Sequence, residues 1–346
     1  MSKKKIGILF LALLGIGSFL FYFFLSKTAP HPFVLQPTPI PTPLAVYSFE
    51  QLRETNFPSV PIRFGHIVKE TTDSIAQVFY FTFAPHPGSS ETKTVSGVAN
   101  IPKKPGSYPV IVMLRGYIPP EKYTEGAGTQ PSAGVFVRNG FITLAPDFLG
   151  FGESDVKAED QFESRFQTYT TALSLLASIP RINDGLTASY SGQITADVTK
   201  IGLWGHSNGG HIALSTLAIS GVNYPTVLWA PVSKSFPYSN LVYTDEDDDQ
   251  GKEYRKDLSD FEKIYDTDLF SPQLYFSWIQ APLQIHQGTS DQEVPFWWSD
   301  ELVDTLQKQG KDIEYLKYPG SDHNLRPAWN DVVSKSIEFY QRQFSK

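Results

Sequence analysis

Gly205-His206-Ser207-Asn208-Gly209-Gly210 follows directly on the apolar run Ile201–Trp204. A serine on a tight turn between a strand and a helix presents its hydroxyl at the sheet edge. Glycines must flank it, because strand and helix come too close there for side chains. The N–H of Asn208, opening the helix, points to where a negative oxygen would form during attack on a carbonyl. A hydroxyl nucleophile needs a base, and the base needs an orienting carboxylate. Only two histidines, His286 and His323, follow the serine's helix. His286 lies inside a predicted strand and reads as a core residue, whereas His323 lies in a loop, Pro319–Asn324, and is the expected base. Gly288–Pro295 supplies the acid: Asp291 is expected at the strand's C-terminal end, with Glu293 as its rival and Asp322 pointing away. Arg115-Gly116-Tyr117 should supply a second oxyanion donor, either the backbone N–H of Tyr117 or its phenol. The competing reading there is a tight turn with a packing tyrosine.

These groups need a scaffold that delivers them to one edge. Ile75–Phe83 and Thr92–Ile101 read as an antiparallel pair across a Pro/Gly turn. The short apolar runs Val110–Leu114, Phe141–Ala145, Ile201–Trp204, Val227–Ala230 and Leu283–His286 read as strands covered on both faces. Ile313–Tyr318 is a further strand. Helical spacing occupies Ser132–Asn139, Phe166–Ile179, Asn208–Ser220, Trp298–Gln309 and Ala328–Phe344. Alternation of this kind predicts an α/β fold, a mostly parallel sheet with helices on both faces. Val232–Trp278 falls between two core strands as a long, tyrosine-rich insertion and is expected to form a lid whose aromatic residues line a pocket.

At the N-terminus, Lys3, Lys4 and Lys5 precede an uncharged stretch, Ile6–Leu25, closed by Lys27. As a helix it would span roughly 30 Å, a bilayer's hydrocarbon thickness. Residues 1–27 are therefore expected to be a transmembrane signal anchor that leaves the catalytic part extracytoplasmic. The alternative is a cleaved signal peptide, whose apolar region is usually shorter. Residues 28–45 are proline-rich and read as a semi-rigid stalk, which leaves 46–346 as the folded domain. A net charge of −7 and the lack of a basic run beyond the first five residues argue against nucleic acid as a partner. Cysteine is absent, which rules out disulfides, thiolate metal sites and a cysteine nucleophile. Asp245–Asp249 mimics the start of a calcium loop, but Gln250 and Lys256 stand where a glycine and a glutamate are needed, so a solvated acidic tip is expected.

Taken together, Val198–Gly210, Leu144–Ser154 and the Asp291 and His323 loops resemble the catalytic domain of the prolyl oligopeptidase family and its bacterial esterase relatives. The resemblance runs from about Val95 to Phe344. It implies the α/β-hydrolase fold, Ser207, Asp291 and His323 as a catalytic triad, and the Asn208 N–H as an oxyanion donor. Asp147, Gly150 and Gly152 match a structural turn of that family. Two features depart from it: Arg115-Gly116 replaces the usual His-Gly, and the large N-terminal propeller is missing. The expectation is an ester hydrolase for small or aryl esters that needs no cofactor or metal. A peptidase for short peptides is the second reading, and an inactive membrane-tethered binding protein the third.

Overall fold

The computed structural model describes residues 41–246 and 248–346. The expected anchor and nearly all of the stalk lie outside them. Nine strands form one sheet in the order β1-β2-β3-β5-β4-β6-β7-β8-β9. They are β1 (Arg63–Glu70), β2 (Ser74–Phe83), β3 (Lys93–Pro102), β4 (Gly106–Leu114), β5 (Ile142–Pro146), β6 (Ile194–His206), β7 (Thr226–Trp229), β8 (Leu283–Gly288) and β9 (Ile313–Tyr318). The first three are antiparallel to their neighbours, and β5, β4, β6, β7, β8 and β9 run parallel.

β4 shows why its apolar run is unbroken. Side chains alternate across a sheet, so Val110, Val112 and Leu114 enter one apolar cluster while Ile111 and Met113 enter another on the opposite face. Helices α3 (Gln161–Ser178), α4 (Ile182–Tyr190) and α5 (Asn208–Ser220) cover the first face with the short α1 (Phe49–Glu54). On that same face α8 (Phe296–Lys308) contributes Leu302, Val303 and Leu306, and opposite them lie α2 (Gln130–Arg138) and α9 (Trp329–Phe344). The parallel register brings the C-terminal ends of β4, β6 and β8, and the loops that follow them, to one edge.

Three features differ from expectation. β1 carries almost no apolar alternation and is largely exposed, so periodicity gave no signal for it. Packed chain also starts earlier than Val46: a 3₁₀ turn, Pro43–Tyr47, buries Leu44 and Tyr47, and the Leu44 amide donates to the Tyr265 hydroxyl at 3.0 Å. The largest difference is Val232–Trp278, which folds as α6 (Tyr238–Leu241), α7 (Lys252–Glu262) and 3₁₀ turns. Phe236, Phe261, Phe270, Tyr275 and Phe276 belong to the main core, with Phe270 stacked on Phe166 of α3 and Tyr275 on Phe49 of α1. Tyr254 and Tyr265 pack beside them, so of the rings expected to line a pocket (Phe236, Tyr238, Tyr243, Tyr254, Tyr265 and Tyr275) only Tyr238 and Tyr243 are exposed. A segment with that much buried apolar surface is part of the domain's stability.

Candidate active site

Ser207 stands between β6 and α5 with φ 56° and ψ −123°. A non-glycine residue in that region costs on the order of 1–3 kcal/mol and persists only when its surroundings enforce it. Here the Ser207 amide donates to the Trp229 carbonyl at 3.0 Å, and the Ser207 carbonyl accepts from Gly210 and Val232. The glycine at 209 is required by close approach, since a Cβ there would lie 1.9 Å from the Leu114 carbonyl oxygen. Gly209→Ala is expected to destabilise the fold by more than about 4 kcal/mol, in the exceptional range. Gly134→Ala is the control: it sits in α2, where a new Cβ meets only the flexible Arg138 guanidinium at 3.6 Å. It should gain up to about 1 kcal/mol from helix propensity. Chemical denaturation of both variants measures the contrast.

His323 lies in the loop after β9. Its Nδ1 donates to Asp291 at 2.9 Å (Oδ2) and 3.1 Å (Oδ1), and both side chains are buried. Asp291 Oδ1 also accepts from the amides of Glu293 and Val294 at 2.9 and 2.8 Å, and Oδ2 accepts from the Gln287 side chain at 3.0 Å. Gln287 is itself oriented by the Ser299 hydroxyl at 2.8 Å. The acid and histidine loops join directly: Ser290 donates to the Ser321 carbonyl at 2.9 Å, and a Cβ on Gly288 would lie 2.3 Å from that same oxygen. Asp322 folds back on its own loop, accepting from the Arg326 amide at 2.8 Å. Glu293 lies on the other side of the imidazole, 3.5 Å from Nε2, with its side chain 68% exposed.

His206 ties the elbow to the histidine loop. Its ring lies 4.7 Å from the His323 ring, and its Nε2 donates to the His323 carbonyl at 3.1 Å. Sequence reasoning did not single out His206 or Gln287. The strand that carries Gln287 reads Leu283-Gln284-Ile285-His286-Gln287-Gly288, so one more polar residue at its end gave no distinct signal.

At the end of β4, a Cβ added to Gly116 would lie 3.0 Å from Ser207 Cβ, so this loop abuts the serine. The Tyr117 amide donates to no acceptor among the described residues, and its ring is 73% exposed. Arg115 is buried, donating to the Gly116 carbonyl at 3.0 Å and the Asp147 carbonyl at 2.9 Å. Its guanidinium lies over Phe151 and Tyr123 at 4.2 and 4.6 Å. Asp147 accepts from the Ser96 and Tyr123 hydroxyls and braces the same loop. Burial raises the Asp147 carboxyl above its usual range against these lowering hydrogen bonds.

Three histidines, His206, His211 and His286, are shifted toward the neutral form. Burial lowers His206 to about 4, helped by the adjacent His323. Burial likewise lowers His286 to about 3, and it lies between Tyr318 and Gln284 as a core residue. His211 of α5 is also shifted well down by burial. An unfolded histidine titrates near 6.5, so the unfolded chain binds more protons between about pH 6.5 and 4. Stability from these groups is therefore complete above pH 6.5 and is lost as pH falls toward 4. The melting temperature should drop steadily from pH 6.5 to 4.5, and a flat profile would contradict the burial of these rings.

Of the acidic tip, Asp245 pairs with Arg255, and Asp249 caps the start of α7 through the amides of Gly251 and Glu253. No cluster of three metal-ligating side chains occurs among the described residues.

A mostly parallel sheet with a serine elbow after a central strand, and an acid and a histidine on later loops, defines an α/β-hydrolase. The chain has that fold. Residues 184–346 match the profile of the prolyl oligopeptidase family, and residues 85–245 match that of chlorophyllase. An Aspergillus flavus protein described as a probable dipeptidyl peptidase 4 is 32% identical over 160 residues, 45% of this chain and 20% of the relative. The chain thus spans about a fifth of that relative's length. Acetyl xylan esterase from a Paenibacillus species has a TM-score of 0.59 at 17% identity, covering 87% of this chain and 96% of that one. A puromycin-hydrolyzing peptidase of Mycobacterium tuberculosis gives a TM-score of 0.52 at 17% identity, covering 82% of this chain and 39% of that one.

Proposed function

We propose that this chain hydrolyses carboxylic esters through Ser207, His323 and Asp291, by way of an acyl-enzyme. The observation that carries the reading is the buried Asp291–His323 pair, held through His206 beside a serine on a strained turn. Asp291 occupies Nδ1 and leaves Nε2 as the atom that takes the proton from Ser207 and returns it to the leaving alcohol. The Asn208 amide at the start of α5 and the Tyr117 amide stabilise the tetrahedral oxyanion. Arg115 acts through the loop, gripping the Gly116 carbonyl so that the Tyr117 amide keeps its aim. Among the described residues the rim is open, with Tyr117 and Glu293 both exposed, which supports small or aryl esters as substrates. Parallel assays of p-nitrophenyl esters and of aminoacyl and prolyl anilides test this, with turnover of the esters expected.

The second reading, a peptidase for short peptides, is favoured by the match of residues 184–346 to the prolyl oligopeptidase profile. Faster cleavage of a prolyl anilide than of every ester would select it.

We further propose that Ile6–Leu25 anchors the chain in a membrane, supported by an uncharged stretch of spanning length behind a lysine cluster. The full-length chain should stay with membranes through salt and carbonate washes. Mature protein beginning near Pro30 in the medium would contradict the anchor and favour a cleaved signal.

A further inference from the structure

Glu293 is tied by its backbone to Asp291, yet its carboxylate lies beside the opposite nitrogen of His323. That placement separates it from the orienting role. Nε2 is the atom that hands a proton to the departing alcohol, so a carboxylate 3.5 Å from it faces the alcohol part of an ester and not its acyl part. Glu293 pairs with no lysine or arginine among the described residues, and Lys234 of the insertion is engaged by Glu301. The charge is therefore available to a substrate.

Aromatic rings stand next to it. The Tyr243 hydroxyl donates to the Glu293 carbonyl at 3.1 Å. Tyr243 and Tyr238 both contact Trp298, with ring centroids 6.5 and 6.0 Å away. Trp298 packs with Val232 and Val294, whose amides donate to the Ser207 carbonyl and the Asp291 carboxylate. This places both tyrosines, Tyr238 50% and Tyr243 39% exposed, on the acid-loop side of the site. A carboxylate next to open aromatic faces attracts cations, quaternary ammonium above all, and repels anions.

We propose that the site prefers esters whose alcohol carries a cationic group, with Glu293 as the specificity-determining residue and Tyr238 and Tyr243 as its aromatic wall. The inference rests on the ester reading above. It adds no chemical step: water and the ester give a carboxylic acid and the cationic alcohol.

The test compares acetylcholine with 3,3-dimethylbutyl acetate, which have the same shape and differ in a quaternary nitrogen against a carbon. The wild-type ratio of kcat/KM at low salt should favour the cation by about tenfold. Glu293→Gln should bring the ratio toward unity, Glu293→Lys should invert it, and added salt should reduce it in the wild type. A merely structural Glu293 would change both esters alike and leave the ratio untouched. A wild-type ratio near one, or a ratio unchanged in both variants, overturns the inference while the ester reading stands. Cleavage of prolyl anilides with neither acetate hydrolysed overturns both.

Discussion

Ser207→Ala should lower kcat by at least about 10⁴ and leave the fold intact, because removal of a nucleophile that works as part of a unit forfeits nearly the whole covalent route. What remains would come from substrate binding and the oxyanion amides. The backbone offers a second readout. Ser207 holds φ 56° against the steric preference of any residue with a Cβ. Ser207→Gly removes that penalty, so it should be as inactive as the alanine variant and melt at a higher temperature than the wild type. Thermal denaturation and ester turnover on the two variants check both halves. Near-normal turnover in either variant would remove Ser207 from the mechanism.

Asp291→Asn should cost about 10⁴ in kcat with little structural change. Every acceptor position of this carboxylate is engaged: two backbone amides meet Oδ1, Gln287 meets Oδ2, and His323 Nδ1 contacts both oxygens. An asparagine oriented to satisfy the amides turns its NH₂ toward Gln287 and His323, both of them donors. The imidazole then carries its proton on Nε2, where it cannot accept one from Ser207. Glu293→Gln leaves that hydrogen-bond set in place and should cost far less on a neutral ester. If the two effects came out reversed, Glu293 would be the orienting acid, in spite of lying at Nε2. Steady-state kinetics on p-nitrophenyl acetate decides the order.

Much of the geometry of this candidate site was legible in the chain because local patterns set it. Gly205–Gly210 specifies a turn that few sequences other than glycine-flanked ones can make, and α5 occupies Asn208–Ser220 as its spacing predicts. The loops bearing Asp291 and His323 follow β8 and β9, so chain order alone put them at the serine's edge. The supporting contacts were hidden because they depend on tertiary approach. His206 gains its position only when β6 lies beside the histidine loop, whereas Gln287 meets Asp291 four residues on, once the loop after β8 folds back on the end of that strand. Arg115 looked like a departure from a family pattern, and its grip on the Asp147 carbonyl requires β4 and β5 to be neighbours. The insertion misled for the opposite reason. Its aromatic residues suggested a pocket by composition, while Phe236, Phe270 and Tyr275 are spent on the core against α1 and α3. Of the rings expected to line a pocket, only Tyr238 and Tyr243, on the acid-loop side, stay exposed.

The central claim is that one serine carries the chemistry, and a fluorophosphonate probe tests it most directly. Such probes phosphonylate only a serine that its neighbours have made nucleophilic. Treating the full-length chain and mapping the adduct by mass spectrometry should give one modified residue, Ser207, with loss of ester turnover in proportion to labelling. An adduct on any other residue, or a chain that still hydrolyses esters without being labelled, would contradict the account.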